Sequence, residues 1–303
     1  MAVPDFQSFF LPILRLASDG MEHSIQEARE VIAKQMELTA EDLNDLLPSG
    51  TQTKFDNRIA WAKSYLLQAK ALEAPKRAYF RITSRGQDLL KQGHQKIGVK
   101  LLNQFPEFVE FHTVKAQKGV TTEISLEPLG ETPEESLQKA HQSIRNDLAA
   151  QILDKIKANS PSFFERLVVD LMVAMNYGGS KADASKSVTG GTGDEGIDGI
   201  IKEDRLGLDA IYLQAKRWEG TVGRPEVQKF VGALHGKRAK KGVFITTGKF
   251  SSDAISYVDT IDPKVVLIDG RSLAELMIDY ELGTTTRFIY KVQEMQSDYF
   301  TEE

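Results

Sequence analysis

Cysteine is absent from the 303 residues, which excludes disulfides, thiolate zinc sites and cysteine nucleophiles together. No stretch approaches the ~20 consecutive apolar residues of a membrane span. The opening residues, Met1 to Phe10, lack the basic region that precedes a secretory hydrophobic segment, so a cytoplasmic protein without a membrane partner is expected. The five histidines, His23, His94, His112, His141 and His235, are scattered without metal-ligand spacing. Histidine-based nuclease and zinc-hydrolase motifs therefore find no support. No nucleophile elbow surrounds a serine. Gly248-Lys249 is followed by Phe250, where a phosphate loop needs a hydroxyl, and no nucleotide cofactor is expected.

The net charge of -5 opposes a polyanionic partner as a sum, but the charges are segregated. Residues 1–53 hold 3 Lys/Arg against 9 Asp/Glu, and residues 54–100 hold 11 against 3. Residues 101–165 return to 6 against 10, and residues 205–249 hold 10 against 3. Such blocks form either solvated helix faces or surfaces that release counterions from nucleic acid. The length suits two domains of about 150 residues each, and an apolar fraction of 41% supplies their cores.

Helical spacing of Phe6, Phe9, Phe10, Ile13 and Leu14 predicts a first helix, stopped at Asp19-Gly20. Ser24 ahead of Glu27 opens a second. A third, from Lys54 to Leu72, carries Ile59, Ala62, Tyr65, Leu66 and Ala69 on one stripe and Lys54, Asn57, Arg58, Trp61 and Lys63 on its other faces. Ala78 to Thr83 alternates like a strand and turns into a short helix. Helix, helix, basic helix, basic hairpin is winged-helix order, in which the third helix enters the major groove and the wing follows the backbone. Lys54, Asn57, Arg58, Trp61, Lys63, Arg81 and Arg85 are the DNA-binding candidates that follow; a generic helical interaction domain is the alternative. Residues 96–133 read as a linker region. A long amphipathic helix runs from Pro133 to about Lys157, and Ser160-Pro161 opens the next. From Phe163 onward helices alternate with strands, with strands at Ile197–Ile201, Ala210–Ala215, Gly242–Thr247 and Val265–Ile268, which predicts a central sheet covered by helices.

The chemistry concentrates in two segments, Gly190-Gly191-Thr192-Gly193-Asp194-Glu195-Gly196-Ile197-Asp198-Gly199 and Gln214-Ala215-Lys216. Alternation puts Gln214 and Lys216 on one face of a strand and Ala215 on the other. A hairpin with the preceding strand brings Asp198 to them. Phosphodiester hydrolysis uses such a set: a hard cation such as Mg2+, with Mn2+ as the alternative ion, takes the Asp198 carboxylate, the Gln214 side-chain oxygen and the Ala215 carbonyl. Lys216 offsets charge on the reacting phosphate. Gln214 brings no formal charge, so a second carboxylate is sought. Glu165 is the first candidate, with Asp194 and Glu195 behind it, and a solvated helix residue is the other reading of Glu165. Arg217 and Arg224 lie close enough in sequence to hold phosphates.

These residues resemble the Mrr family of restriction endonucleases. Ser160 to Leu171, the Gly-Gly-x-Gly-Asp-x-Gly-x-Asp-Gly run, Gln214-Ala215-Lys216, Pro225 to Leu234 and Gly242 to Thr247 occur in that family's order, and the amino-terminal part is similar to its DNA-recognition domain. The resemblance implies a restriction-endonuclease-like core of the PD-(D/E)xK superfamily in its QxK variant, with Asp198, Gln214 and Lys216 in the catalytic positions and Glu165 in a helix that often adds an acidic group. It also implies double-stranded DNA carrying methylated bases as substrate.

The expectation is a multidomain chain. An α-helical winged-helix DNA-binding domain covers residues 1–95 and a linker 96–133. An α/β restriction-endonuclease-like catalytic domain, with a mixed central sheet flanked by helices, covers 134–303. Its activity is that of a type IV-like, Mg-dependent endodeoxyribonuclease, and cutting both strands asks for a homo-oligomer, dimer or tetramer. The competing reading is a catalytically silent DNA-binding protein with a nuclease-like domain.

Overall fold

The computed structural model describes residues 2–112, 130–178, 196–204, 206–293 and 295. They divide into two compact units, the first reaching His141 and the second running from Gln142 to Val292. No described helix is long and apolar enough to cross a membrane.

In the first unit, a short 3-10 turn at Phe6–Phe9, capped by the Asp5 carboxylate, leads into α1 (Phe10–Leu16). Gly20, at φ +75°, reverses the chain into β1 (His23–Ser24). The Ser24 hydroxyl accepts the Glu27 N–H at 3.0 Å and starts α2 (Ile25–Gln35). Thr39 and Asp42 form a reciprocal capping box on α3 (Ala40–Asn44), and Thr53 caps α4 (Lys54–Gln68). Then come β2 (Leu72–Glu73), β3 (Tyr79–Ile82) and α5 (Ser84–Lys91). The three strands form an antiparallel sheet in the order β1-β3-β2. Two strands of two residues give no alternation to read, which is why β1 and β2 escape the sequence. Gly86 is demanded by closeness: a Cβ there would lie 2.2 Å from the Ala71 carbonyl oxygen.

Phe6, Phe9, Phe10, Ile13, Leu14, Ile32, Ile59, Leu66 and Phe80 form this unit's core. Residues 96–133, expected to be a linker, contribute to it. Helices α6 (Val99–Leu102) and α7 (Pro106–His112) follow α5, and Ile97, Val99, Leu102 and Phe108 are buried in the same cluster. The Phe108 ring lies 5.6 Å from that of Tyr65. Helices this short carry too few turns for a hydrophobic period to show. Residues 113–129 of the expected linker lie outside the described residues.

The second unit is built on a mixed four-stranded sheet, β4 (Gly199–Lys202), β5 (Ala210–Lys216), β7 (Lys241–Thr246) and β9 (Lys264–Ile268), in the order β4-β5-β7-β9. β4 runs antiparallel to β5, while β5, β7 and β9 are parallel. Parallel neighbours need crossovers; the helices Arg224–Gly236 (α10) and Ser252–Val258 (α11) supply them. A small parallel pair, β6 (Thr221–Val222) with β8 (Lys249–Phe250), forms a second sheet. On one face of the main sheet, Ile201, Ile211, Leu213, Val243 and Ile245 pack with Phe164, Leu167 and Leu171 of α9 (Pro161–Ala174), which follows the long helix α8 (Pro133–Ala158), and with Leu273 and Met277 of α12 (Gly270–Asp279). On the other, Tyr212 and Phe244 meet Val227, Phe230, Val231 and Leu234 of α10. Period-two alternation thus decides which helix each strand residue meets.

Truncating Phe108 to Ala should cost about 3–5 kcal/mol of stability, the usual penalty for a core phenylalanine, measured by urea unfolding. A change within about 0.5 kcal/mol, typical of exposed positions, would return residues 97–112 to linker status.

Candidate active site

Asp198, Gln214 and Lys216 come together where β4 begins and β5 ends. The Asp198 N–H donates to the Leu213 carbonyl at 2.8 Å, opening the antiparallel ladder. Its carboxylate then accepts the Ala215 N–H at 2.7 Å, taking the rung that a further β4 residue would otherwise fill. A strand residue's N–H and C=O project to the same edge, so the Ala215 carbonyl is directed to the Asp198 side. The Lys216 carbonyl is turned the opposite way, accepting the Thr246 hydroxyl at 2.8 Å and the Thr247 N–H at 3.4 Å. Ala215 packs into the cluster beneath α9, and Gln214 and Lys216 take the opposite face by alternation. This end of the sheet is the carboxyl end of the parallel strands β5, β7 and β9, where open α/β sheets bind ligands.

Gln214 Oε1 is buried and has no hydrogen-bond partner among the described residues. Gly196, at φ +95°, backs the same amide; a Cβ there would lie 3.2 Å from Gln214 Nε2. Burial pushes the Asp198 carboxyl above its ordinary range, against the Ala215 N–H and the Lys216 charge, which pull it down. Glu165, half-buried on α9, is also pushed up, first by burial and then by the Asp198 charge, with Arg166 opposing. A carboxylate whose proton affinity is raised by a neighbouring carboxylate marks a place for positive charge. Among the described residues no three His, Cys, Asp or Glu side chains gather as a metal-binding group. The oxygens at hand are carboxylate, amide and carbonyl, a mixture that suits a hard cation. Asp194 and Glu195, the other acidic candidates, lie outside the described residues.

Lys216 is held on both sides. Its ammonium contacts the Glu226 carboxylate and sits 4.3 Å from the centre of the Trp218 ring. Lys229 meets the other Glu226 oxygen at 2.9 Å, and Lys216 and then Lys229 hold the Glu226 carboxyl below its ordinary range. Neither Glu226 nor Trp218 stood out in the sequence. The available signal was that α10 must start at the same sheet end where β5 stops, which places its first turn beside Lys216. Arg217 donates to the Lys157 carbonyl at 2.5 Å, and the Arg224 guanidinium lies 4.9 Å from the Tyr257 ring centre.

The amino-terminal candidates divide into two groups. Asn57, Arg58 and Trp61, DNA-binding candidates in the sequence, spend their polar atoms on partners within the protein and do not form an open reading face. Asn57 is 1% exposed; its Oδ1 accepts the Thr132 hydroxyl at 2.6 Å, while its Nδ2 donates to Gln52 and Glu134. Arg58 donates to Glu135 at 2.7 Å and to the carbonyls of Val3 and Pro4, and Trp61 Nε1 reaches Glu134 at 3.5 Å. Residues about 75 positions downstream fill the partners these side chains would have offered to DNA. Lys54, Arg81 and Arg85 remain at the surface, paired with Asp45, Glu73 and Glu107 respectively. Partial burial, with Arg29 nearby, lowers the Lys63 pKa.

Residues 156–277, which include Glu165, Asp198, Gln214 and Lys216, match the Restriction endonuclease family. Residues 6–92 match the Mrr N-terminal domain family. The chain is 35% identical over 311 residues, 99% of its own length and 100% of the relative's, to the type IV methyl-directed restriction enzyme EcoKMrr of Escherichia coli strain K12. Among solved structures it is similar to the DNA modification-dependent restriction endonuclease AspBHI, at 17% identity and a TM-score of 0.37 over 70% of this chain and 56% of that one. It is also similar to the MspJI restriction endonuclease in complex with a 27-mer oligonucleotide, at 16% identity and a TM-score of 0.26 over 65% and 42%. With a full-length relative at that identity and both of its halves matched, the chain belongs to the Mrr family of restriction endonucleases.

Proposed function

We propose that this chain is a methyl-directed endonuclease that hydrolyses phosphodiester bonds of double-stranded DNA with Mg2+ held by Asp198, Gln214, the Ala215 carbonyl and Glu165. The observation that carries the reading is the buried Gln214 Oε1, without a partner among the described residues, at the strand end where the Ala215 N–H fixes the Asp198 carboxylate, whose charge in turn raises the proton affinity of Glu165. A buried amide oxygen without a donor costs on the order of 1–3 kcal/mol, and a hard cation offsets that cost while favouring both ionised carboxylates. When bound, the ion supplies Lewis acidity, lowering the pKa of its water and polarising the phosphoryl oxygen.

The chain's own residues do the rest. The Ala215 N–H fixes the Asp198 carboxylate at the strand edge. Gly196 holds the Gln214 amide from behind. Lys216 presents a compact positive charge on the same face as Gln214, suited to the negative charge that develops on a phosphate under attack. Substrate class follows the named activity of the E. coli relative, whose alignment spans both chains almost end to end. A winged-helix reading of the first unit is supported by its helix order and the β2–β3 hairpin. Lys54, Lys63, Arg81 and Arg85 there, and Arg217 and Arg224 in the second unit, are proposed as phosphate contacts. A surface carboxylate partner is worth little, so Lys54, Arg81 and Arg85 can exchange theirs for DNA. Cleaving both strands calls for two sites and hence a homo-oligomer.

Incubation of methylated and unmodified plasmid with Mg2+ or with chelator tests this reading. Cleavage should require both the methyl groups and the ion, and Lys216→Ala should reduce its rate roughly 100- to 1,000-fold with DNA retention nearly unchanged. Plasmid left intact by the wild-type protein under every condition would overturn the proposal.

Thermal melting gives a second test. Above the raised folded-state pKa of Asp198 the carboxylate is ionised in both folded and unfolded chains, and the folded state bears the cost of burying the charge. Asp198→Asn keeps an acceptor for Ala215 and removes that charge. The metal-free variant should therefore melt higher than wild type, by a margin that shrinks as pH falls through the raised pKa toward the ordinary carboxylate value. Mg2+ should raise the melting temperature of the wild type only, since it stabilises the state that binds it. Equal melting and an equal response to Mg2+ would contradict the assignment.

A further inference from the structure

We propose that Glu226 is a positioning residue for the hydrolytic reaction: it orients the Lys216 ammonium through a direct ion pair. The proposal rests on the reading of Lys216 as the lysine that faces the reacting phosphate.

Lys216 is the last residue of β5, and beyond its Cα a flexible four-carbon stem leads to a point charge. Left alone, such a side chain samples many rotamers, and only some carry the ammonium to the face shared with Gln214. Two contacts restrict it here. The Trp218 ring lies 4.3 Å from Nζ, and the Glu226 carboxylate meets the same nitrogen. The ring contact alone is weak at an exposed site, so the carboxylate decides where the charge rests.

The placement of Glu226 suits that task. It sits in the first turn of α10, where the helix dipole favours a negative side chain. Its two oxygens divide their partners: Oε2 takes Lys216 and Oε1 takes Lys229. Lys229, three residues along the helix and largely exposed, keeps the carboxylate from rotating away. The helix start is fixed by the crossover that joins β5 to β7, so the distance between Lys216 and Glu226 is set by the backbone.

Three variants test the role in the full-length protein with methylated plasmid and Mg2+. Glu226→Gln keeps the shape and removes the charge; kcat should fall about 10- to 100-fold, the scale of a misplaced catalytic group, with half-saturating plasmid within about twofold of wild type. Glu226→Asp keeps the charge and should recover most of that loss, which separates positioning from a folding defect. Trp218 supplies a readout independent of activity, because the chain has only Trp61 besides it. Tryptophan emission of Glu226→Gln should move in the direction produced by Lys216→Met, as the cation leaves the ring.

Wild-type kcat in Glu226→Gln would overturn the proposal, as would a loss fully reversed by raising Mg2+, which would place Glu226 on the ion. If the wild-type protein cleaves no plasmid, the hydrolytic reading fails first. Unchanged tryptophan emission in Glu226→Gln would then also remove Glu226 from the orientation of Lys216.

Discussion

The site depends on one hydrogen bond, from the Ala215 N–H to the Asp198 carboxylate at 2.7 Å. It closes the β4–β5 ladder with a side chain in place of a backbone carbonyl, so an acidic group that burial penalises is nevertheless fixed at the strand edge. The rest follows from strand geometry. With Ala215 turned toward β4, Lys216 is turned toward β7, and the Gln214 and Lys216 side chains share one face. A slip of one residue in the register Gly199 with Leu213 would send Gln214 and Lys216 into the apolar cluster beneath α9. The buried rows of Ile201, Ile211, Leu213, Val243 and Ile245 oppose such a slip, because it would break their packing beneath α9 and put polar side chains in their place. Core packing therefore sets the register, and the register sets the chemistry.

Much of this was legible in the sequence, and the limits have physical causes. The main-sheet strands of the second unit and the helices that cover them are long enough for their periods to show, so their existence and the facing of Gln214, Ala215 and Lys216 follow from alternation alone, while the two-residue pair β6 and β8 does not show. Glu226 was not legible, because its link to Lys216 is made by the return of the chain at a crossover and leaves no local pattern. The partners of Asn57, Arg58 and Trp61 were hidden for the same reason. On α4 these residues look like the polar face of a basic helix, and only residues 132–135 reveal that the face is covered. The two-residue strands β1 and β2 and the short helices α6 and α7 fall below the length at which hydrophobic spacing carries information.

The covered face has a consequence for recognition. Thr132 and Glu135 cap the helix that starts at Pro133, and together with Glu134 they hold side chains of α4. Glu135 accepts the Thr132 N–H at 2.8 Å and the Arg58 guanidinium at 2.7 Å. Such a buried charge pair is costly to break from one side, and it ties residues 132–135 to α4 within the first unit. Lys54 and Arg81 each hold a single carboxylate, an arrangement that positions positive charge without committing it, whereas Arg85 also donates to the Ala69 carbonyl at 2.7 Å.

The central claim is that Asp198, Gln214 Oε1 and the Ala215 carbonyl together form a seat for a divalent ion. Anomalous scattering from crystals soaked in Mn2+ measures this directly. The account predicts one ion peak within ligand distance, roughly 2.0–2.3 Å for a cation of this size, of both an Asp198 oxygen and Gln214 Oε1. A well-ordered ion elsewhere, with Gln214 Oε1 unligated, would contradict it.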